Sequence, residues 1–228
     1  MSLAAVSLPL VLRKGDRLTA VEFLRRWDGM PDLKHAELIG GIVFMPSPVS
    51  SGHGDQHGHL AGRAWFYADQ TPGCRMSPEA TWVKGPTDVP QPDVALRILP
   101  EYGGQSAISG GYFRGAPELV IEISNSSSSR DLGIKLELYR SAGVKEYLTI
   151  LLKPNRVIWR QLVRGRYKEI APDAKGLLRS HVFPGLWLDP AAVWDPAKSL
   201  RAALEQGIKS PEHAAFVRRL AAYRKKSV

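Results

Sequence analysis

Residues 118–142 read ELVIEISNSSSSRDLGIKLELYRSA, and this stretch decides the fold class because its hydrophobic pattern changes from the period of a strand to that of a helix. At first, leucine and isoleucine alternate with other residues, as on a pleated strand. Further on, apolar residues recur at the spacing of a helix with one apolar side. The pattern predicts a strand at 118–124, with Glu122 on the face away from the leucine and isoleucines, and a helix at 130–142.

Lys135 falls in the middle of the apolar arc of this predicted helix. A lysine there either extends its stem towards water or pairs with an acid, because an unpaired buried ammonium is very costly. Glu122, on the strand just before, is the natural partner. We expect Lys135 to point inward and to have a functional role, since an ionisable group in an apolar arc needs a specific environment.

The remaining sequence predicts an α+β (mixed α/β) fold, with a central mixed sheet flanked by helices and preceded by an N-terminal helix and hairpin. The predicted elements are a short helix capped by Thr19, a hairpin of 36–39 and 42–45, a helix at 53–68, extended segments at 74–84 and 92–98, a loop at 103–111, strands at 145–152 and 155–163, and helices near 197–206 and 211–225. We expect one domain over residues 1–192 and a helical extension over 193–228.

Composition limits the compartment and the kind of partner. A single cysteine, Cys74, cannot form an intramolecular disulfide and is expected in the core, which favours a reducing, cytoplasmic location. The apolar patch from Leu3 to Leu12 precedes its basic residues, the reverse of a signal peptide, and no later apolar run is long enough to cross a membrane. A net charge of +9 favours polyanionic partners, although the basic C-terminal residues could equally form a solvated helix face.

A second acid, Asp93, lies on the polar face of the extended segment 92–98. A solvent-facing polar side would explain Asp93 and Glu122 taken alone. Together with the inward Lys135, they form a reagent for phosphodiester hydrolysis, because carboxylates hold Mg²⁺ or Mn²⁺ and an ammonium stabilises charge on the phosphate. Glu37, on the early hairpin, could complete the metal site or help to deprotonate a water, or it could be an ordinary hairpin acid.

Five segments in the same order resemble one known family. They are AELIGGIVFMPSP at 36–48, His53, QPDVA at 91–95, GYFRGAPELVIEIS at 111–124 and RDLGIKLELYRSAGVKEY at 130–147. In this order they are similar to the Uma-type restriction endonuclease-like family of the PD-(D/E)XK nuclease superfamily. The resemblance runs roughly from Glu37 to Trp159.

This resemblance implies a Mg²⁺- or Mn²⁺-dependent endonuclease that acts on nucleic acid, usually DNA, and is often a dimer. It makes Asp93, Glu122 and Glu37 the metal-binding acids and Lys135 the catalytic lysine, displaced from the motif strand to the following helix. We expect the nucleic acid to contact His53, Ser124, which stands where an E-x-K motif places its lysine, and Arg130. The departures from the family pattern lie at Asn125-Ser126, at residues 152–154 and in the Gly40-Gly41 turn, so they affect loop shape and substrate choice more than the fold.

Alternatives from other classes stay open at this point. The first is a non-catalytic nucleic-acid-binding or regulatory protein on the same scaffold. A glycoside hydrolase using the two acids would have no use for the central lysine. A zinc site built on His53 and His57, with Asp55 and His59 nearby, lacks the general base of an H-E-x-x-H motif. The serines at 126–129 fit helix capping better than phosphate binding.

Overall fold

The computed structural model describes residues 11–45, 48–125 and 128–226. Most of the apolar N-terminal patch, and two of the serines expected to cap a helix, at 126 and 127, lie outside these residues. The helices are α1 (Ala20–Asp28), α2 (Ser51–Asp69), α3 (Ser128–Asp131), α4 (Ile134–Ala142), α5 (Leu200–Ile208) and α6 (Pro211–Lys226). The strands are β1 (Glu37–Ile39), β2 (Ile42–Phe44), β3 (Cys74–Pro78), β4 (Val94–Ile98), β5 (Ala107–Ser109), β6 (Tyr112–Arg114), β7 (Leu119–Ser124), β8 (Glu146–Leu152), β9 (Asn155–Val163), β10 (Arg166–Glu169), β11 (Leu178–Arg179) and β12 (Trp187–Leu188).

A mixed sheet of six strands forms the centre of the molecule, in the order β10-β9-β8-β7-β4-β3. Its central pair, β7 and β8, is parallel, and every other neighbouring pair is antiparallel. Parallel strands need a crossover connection, and here α3 and α4 provide it. The architecture confirms the predicted α+β class with a mixed sheet between helices.

The two faces of β7 enter different parts of the core. Ile121 belongs to a cluster that includes Leu60 of α2 and Phe216 of α6, whereas Val120 packs with Tyr139 of α4. Glu122 and Val120 share a face because side chains alternate along a strand. The fold therefore directs Glu122 towards α4, on the face away from Leu119, Ile121 and Ile123 that the alternation predicted.

The N-terminal helix and hairpin form a third apolar cluster around Phe23, Leu38 and Val43. Both residues of the hairpin turn, Gly40 (φ 58°) and Gly41 (φ 76°), have a positive φ, which a two-residue primed turn requires and glycine adopts without strain. A bridge between Leu38 and Val89 joins the hairpin to the segment that leads into β4. This connection brings the start of the chain to the sheet.

The single helix predicted over 130–142 is wrong. The chain forms α3, leaves the helical conformation at Gly133 (φ −114°, ψ −100°) and starts again as α4 at Ile134. Glycine has the lowest helix propensity apart from proline, so a break there costs little. Ile134, which the continuous helix assigned to the apolar arc, is 46% exposed.

The extended segment predicted over 74–84 is a strand only at Cys74–Pro78. The stretch predicted as a loop over 103–111 contains β5, which pairs with β6 through the turn at Gly110 and Gly111. The pattern also missed the edge strand β10, whose side chains are largely solvated, so its sequence lacks the alternation that marks a half-buried strand.

The C-terminal helices share the main core, because Leu204 of α5 and Phe216 and Leu220 of α6 belong to the cluster that covers the sheet. Cys74 lies in the same cluster, and burial raises the pKa of its thiol to about 12.

None of the helices in the described ranges combines the length and the hydropathy that crossing a bilayer requires. The domain boundary at residue 192 stays a prediction.

Candidate active site

Asp93 and Glu122 lie side by side at the edge of two neighbouring strands. β4 and β7 are antiparallel, with Val94 opposite Ile121, so the next residues outward, Asp93 and Glu122, also face each other and project to the same side. Oδ2 of Asp93 accepts a hydrogen bond of 2.6 Å from the backbone amide of Ile123. The fold thus brings together the two acids that the sequence singled out.

Lys135 points inward from the first turn of α4 and is only 3% exposed. Its Nζ lies 2.6 Å from Oε1 of Glu122, 3.0 Å from Oε1 of Glu37 and 3.9 Å from Oδ1 of Asp131. Burial acts to lower the pKa of this amine, but the three acids outweigh burial, so the pKa is raised and the ammonium stays charged. Lys135 is therefore a fixed positive charge among carboxylates.

Glu37 reaches the same ammonium from strand β1. Its Oε1 also accepts a 2.9 Å hydrogen bond from the backbone amide of Gln91, two residues before Asp93. Its Oε2 lies 3.9 Å from the guanidinium of Arg130. Glu37 therefore connects the hairpin, the β4 strand and the crossover helices at one point.

The two strand acids have opposite pKa shifts. Burial, together with the negative charges of Asp93, Asp131 and Glu37, raises the pKa of Glu122 well above its usual value, although Lys135 acts to lower it. For Asp93 burial also acts to raise the pKa, but the interactions with His53, the Ile123 amide and Lys135 outweigh burial and lower it. Paired carboxyls with separated pKa values are a common feature of catalytic sites.

Two further residues belong to the site and were missed by the sequence reasoning. The hydroxyl of Tyr139 donates a 2.6 Å hydrogen bond to the Oε1 of Glu122 that also faces Lys135. Asp131 is buried, lies near the same ammonium, and its backbone oxygen accepts a 2.9 Å hydrogen bond from Tyr147. Asp131 and Tyr139 stand four residues before and after Lys135, so the spacing that places residues on one helix face was an available signal.

The three residues expected to contact nucleic acid have different surroundings. Nε2 of His53 lies 3.7 Å from Asp93 Oδ2, too far for a hydrogen bond, and the pKa of His53 is raised, chiefly through this carboxylate. The guanidinium of Arg130 lies 5.1 Å from the ring centre of Phe44. The Ser124 hydroxyl is fully buried and donates to Asp131, which suits positioning of Asp131 better than contact with a ligand.

A cavity of about 250 Å³ lies at this site. Acids line its interior together with Lys135: Glu37, Asp93, Glu122 and Asp131. Side chains with more exposure line it as well: the basic or ionisable Lys34, His35, His53 and Arg130, and the acid Glu79. The cavity therefore combines a buried group of acids with more exposed side chains that include Lys34 and Arg130.

No three His, Cys, Asp or Glu side chains within residues 11–45, 48–125 and 128–226 are arranged to hold a metal ion by themselves. The rings of His53 and His57 are stacked with centroids 6.4 Å apart, and Nε2 of His57 is 3.0 Å from the backbone oxygen of Asp93. Since zinc sites need three or four protein ligands, these histidines form no zinc site. Any metal here needs ligands beyond the side chains.

Comparison with protein-family models gives a match over residues 20–191, to the family described as "Uma2: Putative restriction endonuclease". The matched region includes every residue of the cavity and ends before α5 and α6. A search of curated proteins gives no match.

Among solved structures, the chain is similar to the crystal structure of "a putative nuclease belonging to DUF820" from Anabaena variabilis ATCC 29413. The TM-score is 0.55 at 17% sequence identity, over 70% of this chain and 89% of the other. A likeness at this identity shows a shared fold.

Proposed function

The chain belongs to the Uma2 family, and on that premise we propose that it is a metal-dependent endonuclease that hydrolyses phosphodiester bonds in nucleic acid, with DNA as the substrate. One observation carries the proposal: the buried ammonium of Lys135 lies between Glu122 and Glu37. Asp93 lies beside Glu122 on the neighbouring strand. An ordinary polar strand face would not direct a lysine and these acids into one cavity.

The donor set fits Mg²⁺ or Mn²⁺. Hydrogen bonds from described residues fall on Oε1 of Glu122 and Oδ2 of Asp93, so the second oxygen of each carboxylate is available to a ligand. Mg²⁺ is usually bound by one or two carboxylates together with waters and substrate phosphates, so it does not need a third acidic side chain. When bound by Asp93 and Glu122, the cation would polarise the phosphate and lower the pKa of a bound water.

Glu37 has a different role in this proposal from the one expected of a metal ligand. Its Oε1 contacts the ammonium of Lys135 and the amide of Gln91, and its Oε2 lies 3.9 Å from the guanidinium of Arg130, so each oxygen of Glu37 already faces a positive charge of the protein. We assign Glu37 to holding Lys135 in place. A variant at Glu37 should therefore affect the lysine more than the affinity for metal.

Lys135 stabilises charge and does not act as a base, because its pKa is raised and the amine keeps its proton. A positive charge fixed in a buried site can stabilise the extra negative charge that develops on the phosphate as the bond breaks. Lys34, Arg130 and protonated His53 can attract the phosphate backbone to the cavity. Carboxylates that bind the metal ion are thus combined with positively charged side chains that bind the substrate.

The test is nicking of supercoiled plasmid DNA with Mg²⁺ or Mn²⁺ by wild type, Asp93→Asn, Glu122→Gln and Lys135→Met. We expect each substitution to lower the nicking rate about a hundredfold or more. Asp69→Asn and Lys168→Met are matched controls, because both side chains are exposed and lie outside the cavity. The controls should cut as wild type does.

Equal nicking by wild type and the three site variants would reveal a contaminating nuclease and remove the enzymatic proposal. DNA binding without cleavage in either metal, unchanged by Lys135→Met, would instead favour a non-catalytic nucleic-acid-binding protein on this scaffold.

A further inference from the structure

The outward face of α6 is strongly basic. On its inner side Phe216 and Leu220 are buried in the core. Four exposed basic side chains lie away from the core, in two rows whose members are seven residues apart. Arg218 and Lys225 lie opposite the buried residues, whereas Arg219 and Lys226 lie on the flank, where the guanidinium of Arg219 is 5.0 Å from the ring centre of Phe216. Seven residues are close to two helical turns, so each row runs along the helix axis for about 10 Å.

The described residues provide no acidic partner for the positive charge of this face. Over the part of the chain that the structure describes, no carboxylate lies within ion-pair distance of these four side chains. The helix has one acid, Glu212 in its first turn, which lies 3.8 Å from Arg179. Attraction to the helix dipole accounts for basic residues in the last turn, but Arg218 and Arg219 lie in the middle of the helix.

The basic helix lies outside the region that matches the family, which ends at residue 191. Residues 193–228 carry eight Lys and Arg against three Asp and Glu, so they hold five of the nine net positive charges of the chain. The helix packs beside Tyr102. Asp93 precedes the first residue of β4, whereas Tyr102 follows its last residue. At about 3.4 Å per residue, β4 separates the two ends by roughly 17 Å.

We infer that the outward face of α6 is a second nucleic-acid contact, which binds the phosphate backbone of duplex DNA away from the catalytic cavity. The inference rests on the proposed function. Clustered, unpaired lysine and arginine bind phosphates through release of counterions, without reading sequence. A helix that binds an anionic membrane instead presents large apolar residues to the lipid. In α6, Phe216 and Leu220 face the core, alanines lie between the basic rows, and the half-exposed ring of Tyr223 lies against Gly103.

The experiment compares two full-length variants that lose the same amount of charge. In one, Arg218, Arg219, Lys225 and Lys226 are replaced by alanine, a strong helix former. In the matched control, four exposed basic residues elsewhere are replaced by alanine: Lys14, Arg166, Lys168 and Lys175. Binding to a 30-base-pair duplex is measured by fluorescence anisotropy in EDTA, at salt concentrations between 50 and 200 mM.

For the α6 variant we expect the Kd at 50 mM salt to rise at least about tenfold, and the slope of log K against log salt to become shallower by about 2 to 4. The control should stay within about threefold of wild type. Thermal unfolding checks each fold. If the alanine variant is destabilised, glutamine at the same four positions serves instead.

Equal losses in the two variants would mean that overall charge alone governs binding, and no loss in the α6 variant would mean that α6 does not contact DNA. Either result would overturn the inference. So would loss of binding to phosphatidylserine vesicles with DNA binding unchanged, which would assign the face to a membrane. Binding is measured in EDTA, which prevents metal-dependent cleavage, so the comparison does not depend on nuclease activity. Failure of wild type to nick plasmid would therefore defeat the proposed nuclease and leave this binding comparison valid.

Discussion

Replacing Lys135 by methionine tests the charge balance of the cavity. Methionine has a similar length and no charge, so the substitution removes the ammonium with little change in volume. The side chains of Lys135, Glu122 and Glu37 are 4%, 5% and 7% exposed, so the two acids would lose the cation between them with almost no water to replace it. Removing one partner of a buried ion pair costs about 3–5 kcal/mol. We expect the free energy of unfolding at pH 8, in EDTA, to fall by that amount.

The loss should become smaller as the pH is lowered. Burial already raises the pKa of Glu122, and loss of the ammonium raises it further. A glutamate whose pKa is raised in the folded state binds a proton more tightly there than in the unfolded state, where the pKa is about 4.3. The cost of ionising it is therefore present at high pH and disappears as the pH falls through the raised folded pKa towards the unfolded value. The raised pKa is present in wild type as well, so only the further rise caused by the substitution changes the loss, by about 1.4 kcal/mol for each unit of that rise. We therefore expect the loss at pH 5 to be smaller than the loss at pH 8.

Urea unfolding followed by tryptophan fluorescence measures both values, with linear extrapolation to water. Lys168→Met is the control, because Lys168 is exposed and a surface change of this kind is expected to stay within about 0.5 kcal/mol. A loss below about 1 kcal/mol at pH 8, or a loss of the same size at both pH values, would refute the view that Lys135 neutralises the buried acids.

Three further predictions follow from single contacts. Tyr139→Phe removes the hydrogen bond to Glu122 and should slow plasmid nicking about tenfold or more, with unfolding free energy lowered by about 1–2 kcal/mol in urea titrations; unchanged nicking would show that Glu122 needs no such support. Arg130→Gln should weaken duplex binding to a similar extent for unrelated sequences and reduce the salt slope by about 1, whereas a sequence-dependent effect in anisotropy would assign Arg130 to base recognition. Glu146→Gln should lower stability by about 2–4 kcal/mol, since this buried carboxylate accepts four hydrogen bonds and an amide would direct a donor at other donors; a change under 1 kcal/mol in thermal or urea unfolding would contradict this.

The central part of the fold and the orientation of its key side chains could be predicted from periodicity. Alternation along 118–124 placed Glu122 away from the leucine and isoleucines, and the position of Lys135 in an apolar arc predicted that it would be buried. Both predictions concern one element and its nearest neighbour in sequence. Such local patterns are set by whether each residue faces the core.

Contacts between distant elements could not be predicted in the same way. The break at Gly133 depends on how the crossover fits over the sheet, and it leaves Ile134 exposed despite its apolar character. The hydrogen bond of Tyr139 to Glu122 requires a packed core around the ring, which no helical pattern specifies. The short strands β5 and β6 pair mainly with each other and carry little of the alternation of a half-buried strand.

The acids of the cavity come from separate parts of the chain: Glu37 from the hairpin, Asp93 from the start of β4, and Glu122 from β7, with Lys135 following on α4. Contacts between residues so far apart in sequence form late, because closing the intervening loops costs entropy before the contacts stabilise the fold. A growing polypeptide on the ribosome, from which the segments up to α4 have not all emerged, therefore lacks the cutting centre. If the protein cleaves DNA as proposed, a cell that makes it is exposed to that activity only from chains that have been synthesised beyond α4 and have folded.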